Sequence, residues 1–339
     1  MLPWKIAATT ILRSEAFEVL MLRRGPTAKF MPNSFVFPGG IVEPETDTIF
    51  PESKTNYDSE SSGITLGIGK TDLPLRVAAA RELFEEAGLL LTYDAHTREC
   101  QAVTADDDKG LIEWRNKVRK DPKSFKDIFG LRTMLDVNSL VPWSNWLTPA
   151  SYKRRFDTVF FVVPLKESSA VEFCEKEMQG ATWDIPSRFI EKACNGENLA
   201  LPPPQFYELA RLRLMNSNDP EQLGKMTNSF KICPQVVLNK DMPGIRTTLL
   251  PGDHLFDWSK RFIGTDLKSL TNEELRIEEN MQIHRITFSE NPIYTNLELH
   301  ISNPKDMNQK PHMFCWKESR EEERSRLLTE MINKPRKRE

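Results

Sequence analysis

The densest chemistry in the chain lies at residues 81–89, Arg-Glu-Leu-Phe-Glu-Glu-Ala-Gly-Leu. On a helix, positions three and four apart share a face. Glu82, Glu85 and Glu86 therefore stand together, while Ala80, Leu83, Phe84 and Ala87 turn inward to pack. Three neighbouring carboxylates repel one another, and Arg81 sets a single positive charge against them. Such a face suits hard divalent cations, which take oxygen ligands. A solvated acidic helix face has the same spacing, so the residues alone leave both readings open.

The flanking residues predict how this stretch is held. Asp72 is placed to cap the helix, Pro74 falls in its first turn, and Gly88 closes it. Leu89 to Leu91 start a strand. Upstream, residues 4–13 and 17–23 read as strands, the second nearly continuous in apolar residues, as burial on both faces requires. Arg23 and Arg24 end it ahead of Gly25-Pro26. Phe35-Val36-Phe37 is a short strand running into Pro38-Gly39-Gly40, where paired glycines permit close approach of the backbone to a ligand. Residues 47–70 read as a surface loop at the edge of this region.

Further along, helical patterns cover 109–120 and 122–135, with Trp114, Trp143 and Trp146 making the neighbourhood aromatic. A strand is expected at 155–163, another at 177–183, and a helix at 186–194. The prolines at 202–204 lead into a helix over 205–216. Strands follow near 235–238, 246–250, 282–288 and 294–302, with a Pro251-Gly252-Asp253 turn after the second. Residues 318–333 read as a charged helix. Intermixed strands and helices predict an α/β (α+β) chain with a mixed sheet between helices.

With 339 residues, the chain is long enough for a buried core. A net charge of −3 argues against a dedicated nucleic-acid binder. No apolar run approaches the length of a membrane span, and the N-terminus lacks a signal-peptide pattern. Cysteines 100, 174, 194, 233 and 315 form no CxxC pair, which fits reduced thiols in an intracellular protein. The histidines at 96, 254, 284, 300 and 312 show no metal-ligand spacing.

Residues 81–89 resemble the second half of the Nudix box, Arg-Glu-(apolar)-x-Glu-Glu-x-Gly-(apolar), with every specified position filled. Its glycine-led first half is matched by Phe37-Pro38-Gly39-Gly40-Ile41-Val42-Glu43-Pro44-Glu45, so the box is split by an insertion from about Asp47 to Thr71. Counting from Gly40 reaches Thr46 where the family has Glu; Glu43 and Glu45 are the candidate substitutes. An unsplit count would place Gly67 and Leu73 instead, and leucine cannot do the work of that Glu. The resemblance implies a Nudix α/β/α sandwich over residues 1–216, with insertions at about 47–71 and 93–145. Residues 217–339 would form an extension packed on that core. It further implies attack of water on a diphosphate, with magnesium or manganese held by Glu85 and Glu86. Glu82 would be ligand or base, and Arg81 would orient the carboxylates. Glu177, shortly before Trp183, is a further candidate metal ligand, and Gly39 and Gly40 would approach the substrate.

Arg24, Phe30-Met31-Pro32, residues 143–149, Arg155-Phe156-Asp157-Thr158, residues 201–207, residues 249–253 and His284-Arg285-Ile286 narrow the likeness. The set resembles one Nudix branch, the nucleoside diphosphate-linked moiety X motif 19 group of acyl-coenzyme A diphosphatases. That branch cleaves coenzyme A and acyl-CoA to 3',5'-ADP and (acyl-)4'-phosphopantetheine. Arg23 and Arg24 would then meet phosphate, and the aromatic segment from Trp114 to Trp146 the pantetheine or acyl chain. The branch is peroxisomal, but Lys337-Arg338-Glu339 does not match its C-terminal tripeptide; cytosol or mitochondrion is the alternative. Other nucleoside diphosphate derivatives, such as ADP-ribose or NADH, are the alternative substrates, and a non-catalytic binding protein is the alternative class.

Overall fold

The computed structural model describes residues 4–302 apart from 29, 59–70, 106, 170, 175–177, 196, 198, 228–230, 261–266 and 279–280. Glu177, Gly67, His312, Cys315, the expected helix over 318–333 and the basic tail lie outside the described residues.

The chain opens with β1 (Lys5–Ser14), β2 (Val19–Arg24), β3 (Phe35–Val36) and β4 (Gly39–Ile41). Next come α1 (Leu73–Ala87), β5 (Leu90–Asp94), β6 (Cys100–Val103), α2 (Gly110–Lys120) and β7 (Thr133–Leu135). β8 (Val141–Leu147), β9 (Phe156–Leu165), β10 (Met178–Asp184), α3 (Pro186–Cys194), α4 (Pro203–Leu212) and α5 (Pro220–Lys225) follow. The rest is β11 (Lys231–Ile232), β12 (Gln235–Asn239), β13 (Ile245–Leu249), β14 (Lys268–Leu270), α6 (Asn272–Leu275), β15 (His284–Glu290) and β16 (Ile293–Ile301).

β1 is the axis of an eight-stranded mixed sheet ordered β10-β2-β1-β9-β8-β11, with β3 on β2 and β4 on β1. One edge of β1 pairs in parallel with β9 along its whole length, from Lys5 opposite Phe156 to Ser14 opposite Leu165. The other edge is divided: Ala7–Thr9 takes β4, and Arg13 takes β2. Alternation then sorts the side chains into two cores. Ala8, Leu12, Leu20, Leu22, Val159 and Phe161 pack with α1 and β5. Ile11, Val19, Met21, Phe160 and Val162 pack with α3 and α4 on the opposite face. This is an α/β/α sandwich.

Residues beyond 216 are woven into the same body. β11 joins the first sheet in parallel with β8. A second sheet, β14-β12-β13-β15-β16, places Ile286, Phe288, Tyr294 and Leu297 in the α3–α4 core. No helix among the described residues is long and apolar enough to cross a membrane.

Three local expectations change. Asp72 makes no side-chain cap; it is buried, accepting from Arg76 Nε and from the Tyr57 hydroxyl, both at 2.9 Å. A buried arginine in the first turn outbids the helix amides for that carboxylate. Of the pattern over 122–135, only Pro122–Ile128 winds, as a 3₁₀ helix, and Thr133–Leu135 becomes a strand because the edge of β5 is open to it. The segment after residue 47 is not all surface: Asp47, Phe50 and Thr55 are buried, with Phe50 among Phe125 and Phe129.

Candidate active site

α1 presents the acidic residues because its other sides are committed to packing. Leu83, Phe84 and Ala87 are fully buried, and the helix ends where Gly88 takes a left-handed φ of 72° and donates to the Phe84 carbonyl. Arg115 Nε and Arg119 Nε of α2 both donate to the Glu85 backbone oxygen, at 3.1 and 2.9 Å. Two cations thus sit where the helix leaves carbonyls without internal partners.

Arg81 is the hub. It is 2 % exposed and donates to both Asp47 oxygens at 2.9 and 3.0 Å, to Glu82 at 3.0 Å, to Glu85 at 2.7 Å and to the Ile41 carbonyl at 3.0 Å. Burial opposes its charge, but Asp47, Glu82 and Glu85 outweigh that and push its pKa up. Of the acids around Thr46, the one that faces this arginine is Asp47. Neither Glu43 nor Glu45 takes the position: Glu45 is exposed and pairs with Lys123, while Glu43 uses its backbone N–H to reach Asp47. Asp47 was missed because the count lands one residue earlier, on Thr46; an acid adjacent to that position was the available signal.

The glycine strand lies directly against the helix. Gly39 N–H donates to Glu86 Oε2 at 2.9 Å. A Cβ on Gly40 would fall 2.3 Å from Glu82 Cδ, and one on Gly39 2.5 Å from the Ala8 carbonyl oxygen. The missing side chains of Gly39 and Gly40 let β4 pass this close to β1 and the carboxylates.

Glu82 is pushed up to about 7, first by burial, with Glu85 and Asp47 adding to it against the pull of Arg81. Three carboxylates, Asp47, Glu82 and Glu85, thus surround one guanidinium with Glu86 alongside, an oxygen-only donor set with surplus negative charge that fits a hard divalent cation. The described residues do not hold a ready-made cage of three acidic, histidine or cysteine groups. In this arrangement Glu82 and Glu85 turn to Arg81, and Glu86 turns to Gly39.

Glu82 and Glu86 open onto a cavity of about 350 Å³, which Arg24, Gly39 and Gly40 also border. Arg24 Nε is buried with no hydrogen-bond partner. Glu85 does not border the cavity, and Arg23 is exposed. Of the expected aromatic platform, Trp146 lines the cavity, whereas Trp114 packs in the α1 core and Trp143 is fully buried. Trp143 and Trp146 donate their indole N–H groups to Glu208 at 2.6 and 2.7 Å, and Arg211 closes this buried cluster at 2.9 Å. Val236, Thr248 and Tyr294 bring the second sheet to the same cavity.

A model of the NUDT19 Nudix domain matches residues 48–212. The chain is 30% identical over 312 residues to Putative nudix hydrolase 7 of Caenorhabditis elegans, covering 90% of this chain and 92% of that protein. It is 31% identical over 326 residues to Acyl-coenzyme A diphosphatase NUDT19 of Homo sapiens, covering 85% and 84%. The crystal structure of a NUDIX hydrolase from Alicyclobacillus acidocaldarius matches 66% of this chain and 97% of its own at a TM-score of 0.51 and 22% identity, a likeness of fold. The chain belongs to the Nudix hydrolase family. Within that family it is similar, over most of its length, to the NUDT19 acyl-coenzyme A diphosphatases.

Proposed function

We propose that the chain hydrolyses the diphosphate linkage of coenzyme A and acyl-CoA, giving 3',5'-ADP and (acyl-)4'-phosphopantetheine. The observation that carries this reading is the shared cavity. Glu82, Glu86, Gly39, Gly40 and Arg24 meet there with a largely apolar, aromatic wall, so a diphosphate and a long apolar arm can be held together. The similarity to diphosphatases of that substrate supports the same reading.

Glu82, Glu85 and Glu86 would hold magnesium or manganese. When bound, such an ion supplies charge that screens the diphosphate, acidifies a water and offsets charge on the departing phosphate. The chain's own residues do the rest. Arg81 fixes Glu82 and Glu85 against Asp47, and the Gly39 amide holds Glu86. Arg24, at the cavity wall, meets a phosphate oxygen. Glu82, which borders the cavity, takes the proton of the attacking water. The same reading places the enzyme inside the cell, in the peroxisome or else the cytosol or mitochondrion.

Product analysis with magnesium on coenzyme A, acyl-CoA, ADP-ribose and NADH tests the proposal. Release of 3',5'-ADP from the first two is expected; activity confined to ADP-ribose would overturn it.

A further inference from the structure

The cavity carries a polar feature that diphosphate chemistry does not use. Gln205, in the first turn of α4, borders the cavity and is 9 % exposed, and its side-chain oxygen is buried without a hydrogen-bond partner. Of the buried side-chain atoms without a partner among the described residues, only this oxygen and Arg24 Nε belong to residues that border the cavity. Two prolines, Pro203 and Pro204, precede it, so the start of α4 offers few amide donors of its own.

A second polar pair borders the same space. The hydroxyls of Tyr152 and Tyr294 meet at 3.1 Å. One hydrogen serves that contact, so the pair retains a further donor. Tyr294 sits at a φ of 62°, a left-handed conformation that a bulky residue keeps only where its surroundings enforce it. Part of that enforcement is visible: its carbonyl accepts from Leu201 N–H at 3.0 Å, tying β16 to the segment that leads into Gln205. The neighbouring walls, Phe30, Val36, Phe37, Phe156 and Phe160, are apolar.

We propose that Gln205 and the Tyr152–Tyr294 pair form a subsite that reads secondary amide groups on the arm extending from the diphosphate. The inference rests on the diphosphatase reading of this cavity and names the part of the substrate it selects. An amide N–H donates to the Gln205 oxygen, and an amide carbonyl accepts from the tyrosine pair. The terminal torsion of a glutamine is broad, so its amide can turn to meet the ligand. A plain alkyl arm would leave Gln205 unpaired, and a sugar arm would bring several hydroxyls against aromatic walls. A pantetheine-type chain, apolar with interspersed amides, meets both requirements.

The test uses the full chain with Gln205→Met, which nearly keeps the volume and removes the polar atoms, and Tyr294→Phe. Calorimetry with 4'-phosphopantetheine and, separately, 3',5'-ADP gives a readout independent of turnover. Each variant is expected to bind 4'-phosphopantetheine about tenfold more weakly, a loss of about one hydrogen bond. Binding of 3',5'-ADP should not change, and the loss with coenzyme A should fall on KM more than on kcat. Gln205→Met should melt no lower than the parent, since an orphaned group is removed. Unchanged 4'-phosphopantetheine binding in both variants, equal loss for the two ligands, or a lowered Tm in Gln205→Met would overturn the subsite alone. A parent protein that neither binds 4'-phosphopantetheine nor cleaves coenzyme A would instead bring down the diphosphatase reading, and the subsite with it.

Discussion

Asp47 and Arg81 meet through two parallel hydrogen bonds, at 2.9 and 3.0 Å, with the carboxylate wholly buried and the guanidinium nearly so. This contact pins the start of the insertion to the acidic helix. Asp47→Asn should leave a buried cation short of its partner, costing about 3–5 kcal/mol in urea denaturation. Turnover should fall with it, because Arg81 also positions Glu82 and Glu85. A loss below about 1 kcal/mol, the range of an exposed pair, would show that the contact does not anchor the segment.

Gly40 tests the closeness of strand and helix. An added methyl would fall 2.3 Å from Glu82 Cδ, so the carboxylate must move. Gly40→Ala should keep a native circular dichroism spectrum while kcat/KM drops about 100-fold, the scale expected when a reacting group shifts by about 1 Å. Parent-like kinetics would mean that the orientation of Glu82 is not used in the reaction.

Glu85 separates charge from fold. It is partly accessible and bonded to Arg81 at 2.7 Å, so Glu85→Gln keeps the shape of the side chain and removes one negative charge. Turnover should fall at least about 100-fold, with Tm little changed, and raising magnesium or manganese should restore only part of it. Wild-type-like turnover in this variant would remove Glu85 from the proposed metal site.

His284 gives a pH signature of stability. Burial lowers its pKa from 6.5 to about 3, and its Nδ1–H donates to the Pro251 carbonyl at 2.9 Å. Between those two values the unfolded chain binds the extra proton and the folded chain does not, so stability rises with pH there. The contribution of this group is complete above the unfolded value near 6.5 and is lost as pH falls toward about 3. His284→Asn, which retains a donor near Nδ1, should flatten the acid limb of unfolding free energy against pH. Parallel curves for parent and variant would assign that limb to other groups.

Much of the framework was readable because the relevant signals are local. Gly88 ends α1 at the expected residue, α3 spans the expected 186–194, and the apolar runs at 4–13 and 155–163 became the paired central strands. What escaped depends on partners distant in the chain. Asp47 and its neighbours Glu43 and Glu45 look equivalent until a turn, closed by the Glu43 N–H to Asp47 contact at 2.7 Å, aims one of them inward. Trp143 and Trp146 look alike as residue types, yet Trp143 is fully buried while Trp146 also faces the cavity, and Glu208 of α4 holds both indoles. Thr133–Leu135 carries a helical pattern, and the open edge of β5 overrode it.

The Tyr294 wall has a consequence in time. Ribosomal synthesis makes the glycine strand and the acidic helix early, but the cavity they face is bordered by a residue more than 200 positions after the helix begins. A nascent chain can carry Glu82, Glu85 and Glu86 before one side of that cavity exists. On the proposed function, competence arrives late, when β16 has emerged and docked, and a partly made chain holds the acidic residues without the wall that faces them.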